Sequence, residues 1–128
     1  MGEGREDGKQ RVVVLGASPN PDRYSNRAIR LLAHHGHEIV PVHPRYDVVE
    51  GLPVVPRLDE VDGAVDTITV YVSAAQSASL GPAMLGLAPG RVIFNPGAEN
   101  PELQAMLERE GISVMNSCTL VMLSTGQF

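Results

Sequence analysis

The sequence is poor in the residues on which many site chemistries depend. It has one cysteine, no tryptophan and only two phenylalanines. A lone thiol, Cys118, forms no intrachain disulfide, and with no signal peptide the expected compartment is a reducing cytoplasm. No stretch of about 18 apolar residues is present, so no transmembrane helix is expected. CxxC and HExxH patterns are missing, which removes the common zinc sites. His34, His35 and His37 form an HHxH cluster. Successive helical residues do not face one another, and a glycine interrupts the run, so a solvated helix end is expected there and not a metal. The serine-hydrolase elbow G-x-S-x-G is also absent, as is the dinucleotide fingerprint G-x-G-x-x-G. Few aromatics and a formal charge of −5 argue against nucleic acid as a partner.

What is present is unevenly distributed. Residues 11–46 carry five arginines against Asp22 and Glu38, a net +3, and the rest of the chain carries −8. A basic segment within an acidic chain suits a small anionic ligand.

The stretch Arg11–Asn26, RVVVLGASPNPDRYSN, is the organising one. Val12 to Leu15 read as a strand buried on both faces. Gly16 ends it, Ala17 and Ser18 keep the turn small, and Ser25 or Asn26 is expected to N-cap a helix whose apolar side is Ala28, Ile29, Leu31 and Leu32. A strand, a small-residue turn and a helix N-terminus converge backbone N–H groups on one point, which suits a phosphate. Arg23 and Arg27 flank that start, where a cation opposes the helix dipole, and a bound anion would account for both.

Residues 1–10, MGEGREDGKQ, read as a disordered leader before a single domain over 11–128. Gly36 marks the end of the first helix and Glu38–Val42 the second strand, closing a βαβ unit. The end of that strand, His43-Pro44-Arg45-Tyr46, lacks the acidic residue an NAD site would place there, and Arg45 suits a phosphorylated ribose. Gly51–Asp62 reads as a connector with one helical turn in LDEV. Asp66–Val72 is a third strand, delivering Ser73 to the same rim. Ser73–Leu87 is expected to be helical but contains Gly81-Pro82, so it either kinks there or starts late. Arg91–Phe94 is the fourth strand and opens into Asn95-Pro96-Gly97. Asn100 as N-cap, Pro101 at the first position and Gly111 as stop bound the best-marked helix, and Ile112–Met115 is the fifth strand. Beyond it, residues 116–128 fold back or pair with another copy or an unidentified protein. The alternation predicts a three-layer, Rossmann-like α/β domain with a doubly wound parallel five-stranded sheet, order 3-2-1-4-5, and a ligand crevice between the first and fourth strands.

Read together, GASPNPDRYSN, PVHPRY and NPGAEN…GISVMNSC resemble the stand-alone CoA-binding proteins, which are similar to the N-terminal domain of the succinyl-CoA synthetase α subunit. The resemblance runs from about Arg11 to Cys118. It implies coenzyme A, or a short acyl-CoA, bound by a non-catalytic carrier, sensor or regulatory module. Gly16, Ala17 and Ser18 would hold the pyrophosphate, with Arg23, Tyr24 and Ser25 closing over it. Arg45 would face the 3′-phosphate, and His43, Pro44 and Tyr46 would frame the adenosine. Val72 and Ser73 would line the adenine side, and Asn95, Gly97 and Asn100 would approach the pantetheine arm. Cys118 lies where it could meet the pantetheine thiol as a mixed disulfide, or else remain a buried, inert thiol. Relatives commonly have Asn and Arg where this chain has His43 and Ser117. The alternative reading is an oxidoreductase-type domain that binds NADP, since Arg45 would serve a 2′-phosphate equally.

Overall fold

The computed structural model describes residues 8–128. Residues 1–7 of the expected leader lie outside that range, but its last two residues belong to the fold. Lys9 Nζ donates to the His35 carbonyl at 2.7 Å, the Gln10 N–H donates to His37 Nδ1 at 3.0 Å, and Gln10 Oε1 accepts from Thr67 Oγ1 at 2.6 Å. Lys9 and Gln10 are thus bonded to the fold.

Five strands form one parallel sheet: β1 (Arg11–Leu15), β2 (Glu38–Val42), β5 (Thr67–Val70), β6 (Arg91–Phe94) and β7 (Ser113–Asn116), in the spatial order β2-β1-β5-β6-β7. The expected class, a doubly wound parallel sheet between helices, is what forms. One neighbour differs from the expected 3-2-1-4-5: the third main strand, β5, pairs with β1 from Val12↔Thr67 to Leu15↔Val70 and does not lie outside β2. Proline explains this. Pro41 sits within β2, and its carbonyl faces the outer edge, where it accepts from the Val55 N–H at 2.9 Å. The same edge lacks the donor that Pro41 cannot supply, so it takes only an isolated Val42↔Val55 bridge and no full strand. The chain reaches Val55 through a two-stranded ribbon of β3 (Val48–Val49) and β4 (Leu52–Pro53).

The first helix, α1 (Tyr24–His34), starts ahead of the expected Ser25 or Asn26 cap, and Arg23 is its uncapped N-cap residue. Turns before it cause the early start: Asn20 N–H donates to Ser18 Oγ at 3.1 Å and Asp22 N–H to Asn20 Oδ1 at 3.0 Å. Gly36, at φ +84°, closes the helix as expected. Residues 73–87 divide at Gly81-Pro82 into α2 (Ala74–Ser77) and α3 (Gly81–Leu87), so the late-start alternative holds for the second piece. The LDEV turn is a 3₁₀ turn at Leu58–Glu60. Then comes α4 (Pro101–Arg109), bounded as expected by the Asn100 cap, whose side chain accepts from Leu103 N–H, and by Gly111 at φ +85°. The tail folds back as α5 (Thr119–Ser124), packed on α1.

Apolar side chains gather on both faces of the sheet. One cluster joins Val13, Ile68, Met84, Phe94 and Leu107; the other joins Val12, Val14, Ile29, Leu32 and Leu123. Among the described residues no helix is long and apolar enough to cross a membrane, and no group of three or more His, Cys, Asp or Glu could hold a metal.

Candidate functional site

Two cavities of about 550 and 440 Å³ open at the C-terminal ends of β1, β2 and β5. They share Gly16, His43, Val72 and Gln76 as a common wall and form one two-lobed crevice. Because β5 is the neighbour of β1, the point where the strand order reverses lies between these two, and the crevice opens there rather than between the first and fourth strands. The first lobe is mainly apolar, walled by Leu15, Val42, Leu58, Leu80 and Ala83, with Pro44, Arg45, Arg57 and Asp59 also bordering it. The second is polar and runs from Ser18, Arg23, Tyr24 and Ser25 past Tyr46 to Gly97.

Gly16 takes φ +93°, and a Cβ there would stand 2.9 Å from Val72 Cγ1 and 3.2 Å from the Tyr71 carbonyl carbon. Close approach of the chain after β5 thus requires glycine at the end of β1. The N–H groups of Gly16 and Ala17 both donate to the Val42 carbonyl, at 3.0 and 3.1 Å, so they pin the turn to β2. The open donors lie further along. With no side-chain cap on α1, the N–H groups of Tyr24, Ser25 and Asn26 have no protein acceptor among the described residues. The Arg23 guanidinium beside them has no hydrogen-bond or ion-pair partner among the described residues, while Arg27 lies over the Tyr24 ring at 5.5 Å. An uncompensated helix N-terminus next to an unengaged guanidinium is an anion-attracting corner.

The end of β2 supplies the facing wall. His43 Nδ1 accepts the Arg45 N–H at 3.0 Å, and the imidazole stacks on Tyr46 with centroids 4.3 Å apart. Burial, and then the Arg45 charge, push the His43 pKa below its ordinary value. The Arg45 side chain has no hydrogen-bond or ion-pair partner among the described residues.

The other residues singled out in the sequence sit as follows. Val72 walls both lobes. Ser73 caps α2, its Oγ accepting from Gln76 N–H at 3.3 Å. Asn95 is buried and fully bonded: Nδ2 donates to Thr69 Oγ1 and the Val70 carbonyl, and Oδ1 accepts from Thr119 N–H. Asn100 caps α4 and donates to Ser77 Oγ at 2.9 Å. Gly97 borders the polar lobe with its N–H given to Glu99. Cys118 is the half-buried N-cap residue of α5 and lines neither lobe.

Sequence reasoning missed Arg57, Asp59, Gln76 and Tyr71. Arg57 is held bidentately by Asp59, at 3.2 and 2.7 Å, on a segment that reads as a connector. Tyr71 borders the polar lobe, but its hydroxyl is buried with no hydrogen-bond partner among the described residues. Burial pushes its pKa up to about 12, a rise moderated by the nearby Thr69 and Thr119 hydroxyls.

Residues 10–124 match the family described as CoA binding domain. The chain is similar to the uncharacterized protein YneT of Bacillus subtilis (strain 168), 31% identical over 113 residues that span 88% of this chain and 84% of the relative. It also superposes on the crystal structure of an uncharacterized protein with 41% identity and a TM-score of 0.88, covering 94% of this chain and 98% of the other. A dinucleotide-forming acetyl-coenzyme A synthetase 1 from Ca. Korarchaeum cryptofilum shares the fold, with a TM-score of 0.72 at 20% identity over 84% of this chain and 25% of that enzyme.

Proposed function

The chain belongs to the CoA binding domain family, and on that premise we propose that it binds coenzyme A or a short acyl-CoA in the two-lobed crevice as a non-catalytic carrier, sensor or regulatory module. The observation that carries this reading is the pair of arginines, Arg23 and Arg45, that border the crevice with side chains that have no protein partner among the described residues. A phosphate-rich ligand supplies what both lack. The apolar lobe takes the adenosine, with Arg45 toward the 3′-phosphate. The start of α1 and Arg23 take the pyrophosphate, and the polar lobe toward Gly97 takes the pantetheine arm. Ser18 keeps a place beside the pyrophosphate, whereas Gly16 and Ala17 shape the turn without donating their N–H groups. Asn95 and Asn100 support the scaffold beneath the arm.

Three charge-assisted contacts at roughly 1.5–3 kcal/mol each, less the cost of association, correspond to affinity on the order of micromolar. The test is a thermal-shift series with CoA, 3′-dephospho-CoA, acetyl-CoA and NADP. Ligand about 100-fold above its dissociation constant adds about 2.7 kcal/mol, read as a rise of several degrees in Tm. Stabilisation by CoA that weakens without the 3′-phosphate supports the reading. A response to NADP alone would replace it with an oxidoreductase-type site.

A further inference from the structure

His43 stands where the two lobes meet, and its ring is fixed in several ways. Its own N–H donates to the Val55 carbonyl at 3.1 Å, Nδ1 accepts the Arg45 N–H at 3.0 Å, and Tyr46 covers one face. An imidazole nitrogen that accepts a hydrogen bond carries no proton, so the neutral ring holds its proton on Nε2. That N–H has no acceptor among the described residues, and the residue borders both cavities. The charged and titratable groups around it are Arg45, Arg57 and Asp59 on the first lobe, and Arg23, Tyr24, Tyr46 and Tyr71 on the second. Asp59, the one carboxylate in this set, is bonded to Arg57. In the free protein the ring is thus a neutral single-proton donor among cations, and its lowered pKa agrees with that setting.

Resting on the reading above, we propose that His43 Nε2–H donates to the diphosphate of the bound CoA, and that this contact draws a second proton from solvent onto Nδ1, making affinity rise as pH falls. An anion placed against the ring favours the imidazolium, so the His43 pKa is higher in the complex than in the free protein. Binding then takes up a proton, and by reciprocity a proton strengthens binding. The sign follows from the difference between the two states alone. The cost of surrendering the Arg45 N–H contact is present in both.

The test is calorimetric titration of the full chain with 3′-dephospho-CoA between pH 5.5 and 8, using buffers of different ionisation enthalpy to count protons. This probe lacks the phosphomonoester, whose own ionisation near pH 6 would otherwise overlap. Affinity is expected to rise about three- to tenfold from pH 7.5 to 5.5, tenfold corresponding to a one-unit shift, with net proton uptake. His43→Asn keeps an acceptor for the Arg45 N–H and is expected to flatten both signals; His43→Gln is the second variant, and a melt of each verifies folding. A flat wild-type profile, or the same slope in both variants, overturns the role of His43 while leaving CoA binding intact. Absence of binding by both CoA and the probe at every pH overturns the underlying reading.

Discussion

Asn95 and Arg45 show two ways a polar side chain can be used near a crevice. Asn95 is 2% exposed, and each end of its amide is consumed by the sheet and by the start of α5. Replacing it by Leu strands the Thr119 N–H and removes the bond to Thr69. A loss of roughly 2–3 kcal/mol is expected, seen as a lower urea midpoint with an unchanged slope. Arg45 is exposed and bonded only through its backbone. Arg45→Ala is therefore expected to leave Tm unchanged and weaken CoA about tenfold or more, with 3′-dephospho-CoA unaffected in the same titration. Both residues are visible in the sequence as polar positions at strand ends. Their different uses depend on which neighbours the fold brings, and local sequence does not carry that information.

Elements whose local signals and tertiary surroundings agree are the ones the sequence reveals. In α4, an Asn cap, Pro101 and Gly111 specify the bounds independently, and Leu103 and Leu107 face the core. Asn100→Ala should cost about 1 kcal/mol for the cap alone, with a further loss from the Ser77 contact, and a thermal melt compared with Ser77→Ala separates the two. The opposite case is α5: Gly126 at φ +74° closes it, but TLVMLS has too few residues for a clear period, and it is helical because it docks on α1. The place of β5 escaped for a related reason, since every strand of a parallel sheet reads as an apolar run and its neighbour is chosen by edges such as the proline-marked side of β2. The turn after β1 and the end of β2, which border the crevice, were singled out by residue type. Arg57, Asp59 and Gln76 were not, because a connector and a two-part helix carry them to the crevice.

For the whole molecule, the buried phenol of Tyr71 sets an alkaline limit. Its folded-state pKa of about 12 exceeds the ordinary value of 10.0, so above pH 10 the unfolded chain gives up a proton that the folded chain keeps. Stability is expected to fall as pH climbs from about 10 to about 12, by on the order of 2 kcal/mol. Denaturant midpoints across that window measure it. Tyr71→Phe should remove this component of the decline and be neutral or stabilising at pH 7, because the hydroxyl it deletes has no partner among the described residues. The cluster beneath the turn after β1 has a different kind of consequence. Ala17 shares it with Leu123 of α5, and β1 gains its second neighbour only when β5 arrives more than fifty residues later. A chain emerging from a ribosome makes the turn after β1 early and cannot brace it until α5 is out. On the proposed reading, nucleotide capture is therefore expected only of the finished protein, and a nascent chain would pass through synthesis without competing for CoA.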